Sequence, residues 1–458
     1  MISPQINLSL IQSAKSGNER QVTTALERGA DVNTTDAHGT TALMFAAQKG
    51  FERIVELLLA AGAAVNLPRQ QFGTTALMFA AAANRVAVVD RLLLARGIDV
   101  NATNEDGSTT LMGATLAGAR EIVKLLIAAG ADVTTIDNDG DNALNIAIEC
   151  HDELLVRQLL VAGADINYRR SDGKTPLLLI SAPGAATMLD LLLTAGADPQ
   201  AVDIEGDSLL ILAAERGDLD LIAPLIRARV KIDLQNHEGW TALIAATAGG
   251  QIEIAKLLLA AGANSNLASQ ESETALHLAA IEGNIELVEI LLGAGANADT
   301  ITSLGDTPLV LATLHEHTPT VAAILKSGID LQAHQQGATA LGVAILNGFT
   351  EIASLLLAAG VSPHQTFKEG QTPSIVAAIE GNVELMRSLI EAGANLDDRD
   401  DTGATAMMWA THRQHHEIIA LLLAAGADRT CKNYGGLTAL ALAEINSDRR
   451  SIELLKHH

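Results

Sequence analysis

A helix-closing signature, Gly-Ala-Asp or a near variant of it, returns along almost the whole chain. Its glycines, or the residue holding that place, are Gly29, Gly62, Gly97, Gly130, Gly163, Gly196, Arg229, Gly262, Gly295, Gly328, Gly360, Gly393 and Gly426. The steps between them are 33, 35, seven of 33, one of 32 and two more of 33. A fixed period in the thirties means one supersecondary unit stacked many times, not a few compact domains. Such an array presents one long surface and seldom a buried catalytic pocket.

Residues 39–66 show what one repeat contains. Thr41 can cap a short first helix, its hydroxyl accepting a backbone N–H that has no partner within the helix. Three repeats place proline directly after this threonine (Pro176, Pro308, Pro373), the first helical position, where proline costs nothing. Gly50 turns the chain. A second helix carries Ile54, Leu57 and Leu58 at helical spacing and stops at Gly62, a natural left-handed cap. A polar stretch from Asn66 to Gly73 makes a turn before the next helix. Two helices of about ten residues cannot bury their apolar faces alone, so neighbouring repeats must supply the rest of the core.

These residues resemble the ankyrin repeat from about residue 5 to the end of the chain. The Thr-Pro-Leu-His box of that family stands as Thr175-Pro176-Leu177-Leu178, Thr307-Pro308-Leu309-Val310 and Thr274-Ala275-Leu276-His277. The resemblance implies an all-α solenoid of helix-turn-helix repeats with projecting turns, curved into an elongated superhelix. Residues 1–458 are expected to form a single array of fourteen repeats. An N-terminal capping repeat spans about 5–38, twelve full repeats span 39–435, and a truncated cap spans 436–458. Only repeat nine keeps the box histidine, His277; others have Met44, Met78, Met112, Leu210 or Ile244. Apolar contact is therefore expected to replace the polar tie between helices in most repeats.

At 458 residues and 48% hydrophobic, the chain can bury a large core, but as a line rather than a ball. Packed helices about 8–10 Å apart give fourteen layers a contour on the order of 120–140 Å. No apolar run is long enough for a bilayer, and Met1 to Asn7 lacks the regions of a secretory signal. Cys150 and Cys431, eight repeats and roughly 80 Å apart, cannot pair. The chain reads as cytoplasmic. Thirty basic against fifty-four acidic residues give a net charge of −24, which repels phosphate backbones and anionic lipid, and 2% aromatics leave little for base stacking. Neither nucleic acid nor membrane is expected as a partner, and a monomer is expected over an oligomer. A basic protein segment is favoured, its association weakening as salt rises.

Three places break the period. The turn before Gly73 is one residue longer, in Leu67 to Phe72; a residue is gained in the second helix around Asp90-Arg91-Leu92; the turn before Gly337 loses one. Each reads either as a local change of twist or, for Phe72 on a turn stiffened by Pro68, as a contact point. Pro183-Gly184 and Pro319 fall at helix ends.

No set of nucleophile, base and orienting acid stands out, so neither catalysis nor a cofactor is expected. His412, His415 and His416, and His315 with His317, could offer metal ligands, but neither cluster brings cysteine. No metal site is assigned. The ankyrin resemblance implies binding through turn tips and the inner face of the first helices, and three rows fall there. The residue before the turn glycine, or before its counterpart, is acidic at Asp106, Asp139, Asp172, Glu205, Glu238 and Glu271, and again at Glu369. Consecutive tips would form a negative ridge, although aspartate before glycine is also ordinary turn chemistry. After the turn glycine, repeat eight has Trp240, with Asp207 and Glu273 in the same row and Ala248 and Gly249 behind it. An exposed tryptophan there suits an interface anchor on which a partner cation could stack; the alternative is a ring lying flat on the next turn. Trp409, Phe45 and Phe79 fall in the core pattern of the first helix. The third row, at the end of the first helix, reads Ile281, Leu314, Leu346 and Ile379, followed by Glu282, His315, Asn347 and Glu380. An apolar floor with a polar rim suits an amphipathic basic segment, and partial burial against the second helices is the competing explanation. The functional reading is a non-enzymatic protein-binding module that captures a basic, partly apolar segment. A multi-partner assembly scaffold without a single hot spot is the alternative.

Overall fold

The computed structural model describes residues 4–181 and 185–457. Among them the chain is an all-α repeat solenoid, with 27 α-helices and no strand beyond isolated bridges such as Thr35 with Thr41 and Ala268 with Thr274. No helix of the described residues is long and apolar enough to cross a membrane. The backbone divides into two compact units, Met1–Ala213 with Asp218–Lys231, and Ala214–Gly217 with Ile232–His458.

Repeat two illustrates how the sequence produces the helix pair. Thr41 is extended (φ −86°, ψ 165°) and its Oγ1 accepts the Met44 N–H at 3.2 Å, opening the helix Ala42–Lys49. Gly50 (φ 83°) ends it, and the helix Glu52–Ala60 runs back. Gly62 (φ 85°) then closes the second helix: its N–H donates to the Leu59 carbonyl, and the Ala63 N–H to that of Leu58, both at 3.0 Å. The first helix buries Ala42, Leu43, Met44, Ala46 and Ala47; the second buries Ile54, Val55 and Leu58. Each large side chain so buried contributes about 1.5–3 kcal/mol. The small alanines let successive first helices approach closely.

Several local expectations are corrected. The box methionines are not merely apolar substitutes: the sulfur of Met44, Met78 and Met112 accepts the backbone N–H of Thr41, Thr75 and Thr109 at 3.4, 3.5 and 3.3 Å. A thioether, though a weak acceptor, so takes over the job of an imidazole nitrogen. In repeat nine the Nδ1 of buried His277 accepts the Thr274 N–H at 3.1 Å, which leaves Nε2 to donate to the Thr300 carbonyl at 3.2 Å. The extra residue of repeat three lies outside its second helix: Val86–Leu93 is eight residues long where most second helices have nine, and the added length follows in the turn that exposes Leu94. Gly337 forms no turn. It sits inside the eleven-residue helix Gln336–Leu346, which has absorbed the shortened turn. In repeat six the first helix is reduced to the 3-10 turn Pro176–Leu179, and Pro183-Gly184 lie outside the described residues.

A row of amides, unforeseen from the sequence, ties repeat to repeat. In the first compact unit Asn33, Asn66, Asn101 and Asn167 each accept, through Oδ1, a backbone N–H of the next repeat (Ala64, Asp99, Asp132 and Asp198) at 2.7–2.9 Å. The Asn66 and Asn167 amides also donate to the Gly97 and Gly196 carbonyls, at 2.7 and 3.1 Å. In the second compact unit an Oδ1 of Asp233, Asn266 and Asp397, carboxylate or amide, likewise accepts the backbone N–H of Asn264, Asn297 and Asp428.

Candidate partner-binding surface

The turn tips are built by side chains two residues before the acidic positions. Asn104, Asp137, Asp203 and Asn236 each accept two backbone N–H groups through one Oδ1, for example Asp137 from Asp139 and Asp141 at 3.1 and 2.9 Å. Ser269 and Thr302 do so with a hydroxyl, at 3.2–3.3 Å. The turn chemistry is therefore met without the side chains of Asp139, Glu205, Glu238 and Glu271, which are exposed. Asp106 is also exposed, touched only by the Asn104 amide at 3.5 Å. Asp172 is half-buried, accepting the Lys174 N–H and lying 3.5 Å from Arg170. Glu369 is exposed in a left-handed conformation (φ 62°).

Backbone bonds set neighbouring tips in register. The Asp106 carbonyl accepts the Asn138 N–H at 2.9 Å and that of Asp172 accepts Ile204 at 3.2 Å, in the first compact unit. In the second, Glu238, Glu271 and Glu369 accept Gln270, Ser303 and Asp401 at 2.8, 2.9 and 3.0 Å. Acidic side chains thus recur at one-repeat intervals along stacked turns. Ser272 (φ 62°) holds the glycine place after Glu271 without breaking this register.

Trp240 is half-buried, and its turn is held by Asn236 and by Gln235, whose amide donates to the Gly239 and Ala268 carbonyls at 2.7 and 2.9 Å. Ala248 and Gly249 are exposed. Glu273, in the same row one repeat on, is half-buried; burial first, then the Glu271 carboxylate, push its carboxyl above the ordinary range. A desolvated carboxylate with a like-charged neighbour is a place where an incoming cation is favoured. Asp207 belongs to the first compact unit and is also half-buried.

The third row separates into two levels. Ile281 and Ile379 are half-buried, whereas Leu314 and Leu346 are 51% and 64% exposed. Glu282, His315, Asn347 and Glu380 beside them are exposed. Sequence reading missed three apolar side chains in the same unit. Leu304, 87% exposed, occupies the tip place that Glu271 holds one repeat earlier; Ile445 extends the floor row two periods beyond Ile379; Tyr434 is exposed at another tip. The period itself would have found the first two.

Phe72 is exposed with φ 71°, and the Arg69 guanidinium lies 5.9 Å from its ring centroid. A bulky residue in that conformation costs about 1–2 kcal/mol. Phe45, Phe79 and Trp409 are half-buried on the groove side rather than enclosed in the core. The Trp409 indole N–H donates to buried Asp400 at 2.7 Å. Three of the clustered histidines serve helix ends: His317 and His415 reach the carbonyls of Ile281 and Ile379, at 2.8 and 3.3 Å, and His416 reaches Asp448 at 2.9 Å. His315 stacks on His317, and His412 meets Trp409 edge-on.

A family model described as ankyrin repeats (3 copies) matches residues 10–104, 91–170, 111–203, 210–302, 276–367, 359–433 and 375–458. Among curated proteins the chain is similar to the mitochondrial disaggregase of Bos taurus, 44% identical over 59 residues, which covers 13% of this chain and 9% of that protein. The Homo sapiens mitochondrial disaggregase matches at the same identity and length, over 8% of its own chain. The matched stretch therefore spans less than a tenth of either relative.

Proposed function

Because this chain belongs to the ankyrin-repeat family, whose members are generally non-enzymatic protein–protein interaction modules, we propose that its second compact unit captures a basic, partly apolar protein segment. The observation that carries this reading is the exposed pair Leu314 and Leu346 in register with Ile281 and Ile379, an apolar floor bordered by Glu282 and Glu380. Apolar side chains of the partner rest on the floor, while Glu238, Glu271 and Glu369 on the stacked tips attract its cations. Trp240 anchors one arginine or lysine, with the desolvated Glu273 carboxylate one repeat away. In the first compact unit Asp106, Asp139, Asp172, Glu205 and Asp207 add a negative field that speeds encounter. Phe72 is a separate contact at its own tip. The array of residues 1–458 acts in this reading as a single binding protein located in the cytoplasm.

The test is affinity purification from native lysate with quantitative mass spectrometry, comparing the wild type with Trp240→Ala at low and moderate salt. The expected result is one partner that is weakened by salt and loses about 2 kcal/mol or more of binding on substitution. Partners indifferent to both changes move the site elsewhere and favour the multi-partner scaffold.

A further inference from the structure

Over its first four repeats the groove face of the first compact unit carries charge of the opposite sign; Glu149 brings the first carboxylate into the floor row in repeat five. The first helices of repeats one to four are Pro4–Ser16, Ala42–Lys49, Ala76–Ala82 and Thr110–Leu116. Traced back by the period, the floor row that holds Leu314 and Leu346 starts at Lys15 and passes through Leu116. The rim row beside it starts at Ser16 and holds Lys49 on the second of these helices. The row one turn earlier holds Phe45, Phe79 and Gly113. Over these four helices the three rows hold no carboxylate, in a chain with 54 acidic and 30 basic residues.

The exposed side chains there are poised rather than satisfied. Lys15 places its ammonium 5.2 Å from the Phe45 ring centroid. Among the described residues neither Lys15 nor Lys49 has a carboxylate within ion-pair reach, whereas Arg53, Arg91, Arg120 and Arg170 of the same unit each meet one at 2.7–3.0 Å. Both lysines lie in the last turn of a helix, which favours their charge but leaves them exposed. Phe79 is half-buried, Leu116 is 69% exposed, and a Cβ added at Gly113 would meet nothing within 4 Å. The backbone between Phe79 and Leu116 is thus an open floor between two apolar walls.

We propose that this face docks an acidic peptide segment bearing apolar side chains, with carboxylates on Lys15 and Lys49 and an apolar side chain seated over Gly113. Two isolated cations suit a segment with few carboxylates. A polyphosphate chain fits less well, because two lysines would leave most of its dense charge unneutralised.

The experiment is selection of a random peptide library displayed on phage against the intact chain. The selected peptides are then measured by fluorescence anisotropy on the wild type, on Lys15→Gln/Lys49→Gln, and on Gly113→Leu. The last substitution fills the open floor in a right-handed helix position, so the fold is preserved; thermal melting checks both variants. The proposal expects peptides rich in Asp and Glu with Leu or Phe, whose affinity falls about tenfold or more in each variant and falls with salt. Acidic peptides indifferent to both variants overturn it, as does enrichment of basic peptides alone. Binding of single-stranded RNA that depends on Lys15 and Lys49, with no acidic peptide selected, overturns it in favour of nucleic acid. Failure here leaves the basic-segment reading intact, since that rests on Leu314 and Leu346.

Discussion

At Asn167 one exposed amide holds two repeats together, accepting the Asp198 N–H at 2.9 Å and donating to the Gly196 carbonyl at 3.1 Å. Replacing it with alanine removes both bonds and leaves their backbone partners to water. A loss of about 1–2 kcal/mol in urea unfolding is expected. His277 works differently because it is enclosed. Burial holds its imidazole below the ordinary value of 6.5, outweighing hydrogen bonds that pull the other way. The unfolded chain therefore takes up this proton first as pH falls. Stability from this site is complete above the unfolded value and declines as pH drops through it toward the lower folded one. His277→Gln, which keeps donor and acceptor but does not titrate, is expected to flatten the fall in melting temperature between about pH 7 and 5. An unchanged slope would assign the acid sensitivity to other groups.

Helix ends decide how each element stops, and Arg229 shows the cost of an unsuitable residue. It holds the place that glycine holds in the other twelve closing signatures, with φ 57°. Its N–H still closes the helix Leu219–Arg227 on the Ile226 carbonyl at 3.0 Å. The closing geometry survives while the side chain strains the backbone. Arg229→Gly is expected to stabilise the protein by about 0.5–1 kcal/mol, read as a higher urea midpoint at constant slope. Repeat eleven shows the reverse compromise. Its turn is gone, and the buried Gln336 amide bonds Asp299 at 2.6 Å and the Asp330 carbonyl at 2.7 Å in its place.

Across the molecule the net charge of −24 sets two opposite responses to salt. Screening relieves self-repulsion within the folded chain, so the melting temperature should rise from low to moderate ionic strength. Capture of a basic segment should weaken over the same range. Scanning fluorimetry and binding titrations in matched buffers separate the two; a melting temperature that falls with salt would show that attractive pairs such as Arg170 with Asp141 dominate instead.

The period of about 33 residues, the threonine that opens most first helices and the glycine that closes nearly every second one were all visible in the sequence. They determine the repeat and the all-α class because caps and apolar spacing act over a few neighbouring residues, where order along the chain is order in space. Sequence also located the rows that hold Trp240, Leu314 and Leu346. It did not say which members of a row stay in water. Leu314 and Ile281 occupy equivalent positions, yet their exposure differs with what packs beside each. Nor did it show that Met44 would accept a hydrogen bond, that Asn33 and Asn66 would bridge repeats, or that Asn104 and Asp137 would free the acidic tips. The Asn33 and Asn66 bridges depend on distances between residues about thirty positions apart, which only the stacked backbone sets. The Met44, Asn104 and Asp137 bonds join residues two to four apart and depend on the backbone conformation at each cap and turn.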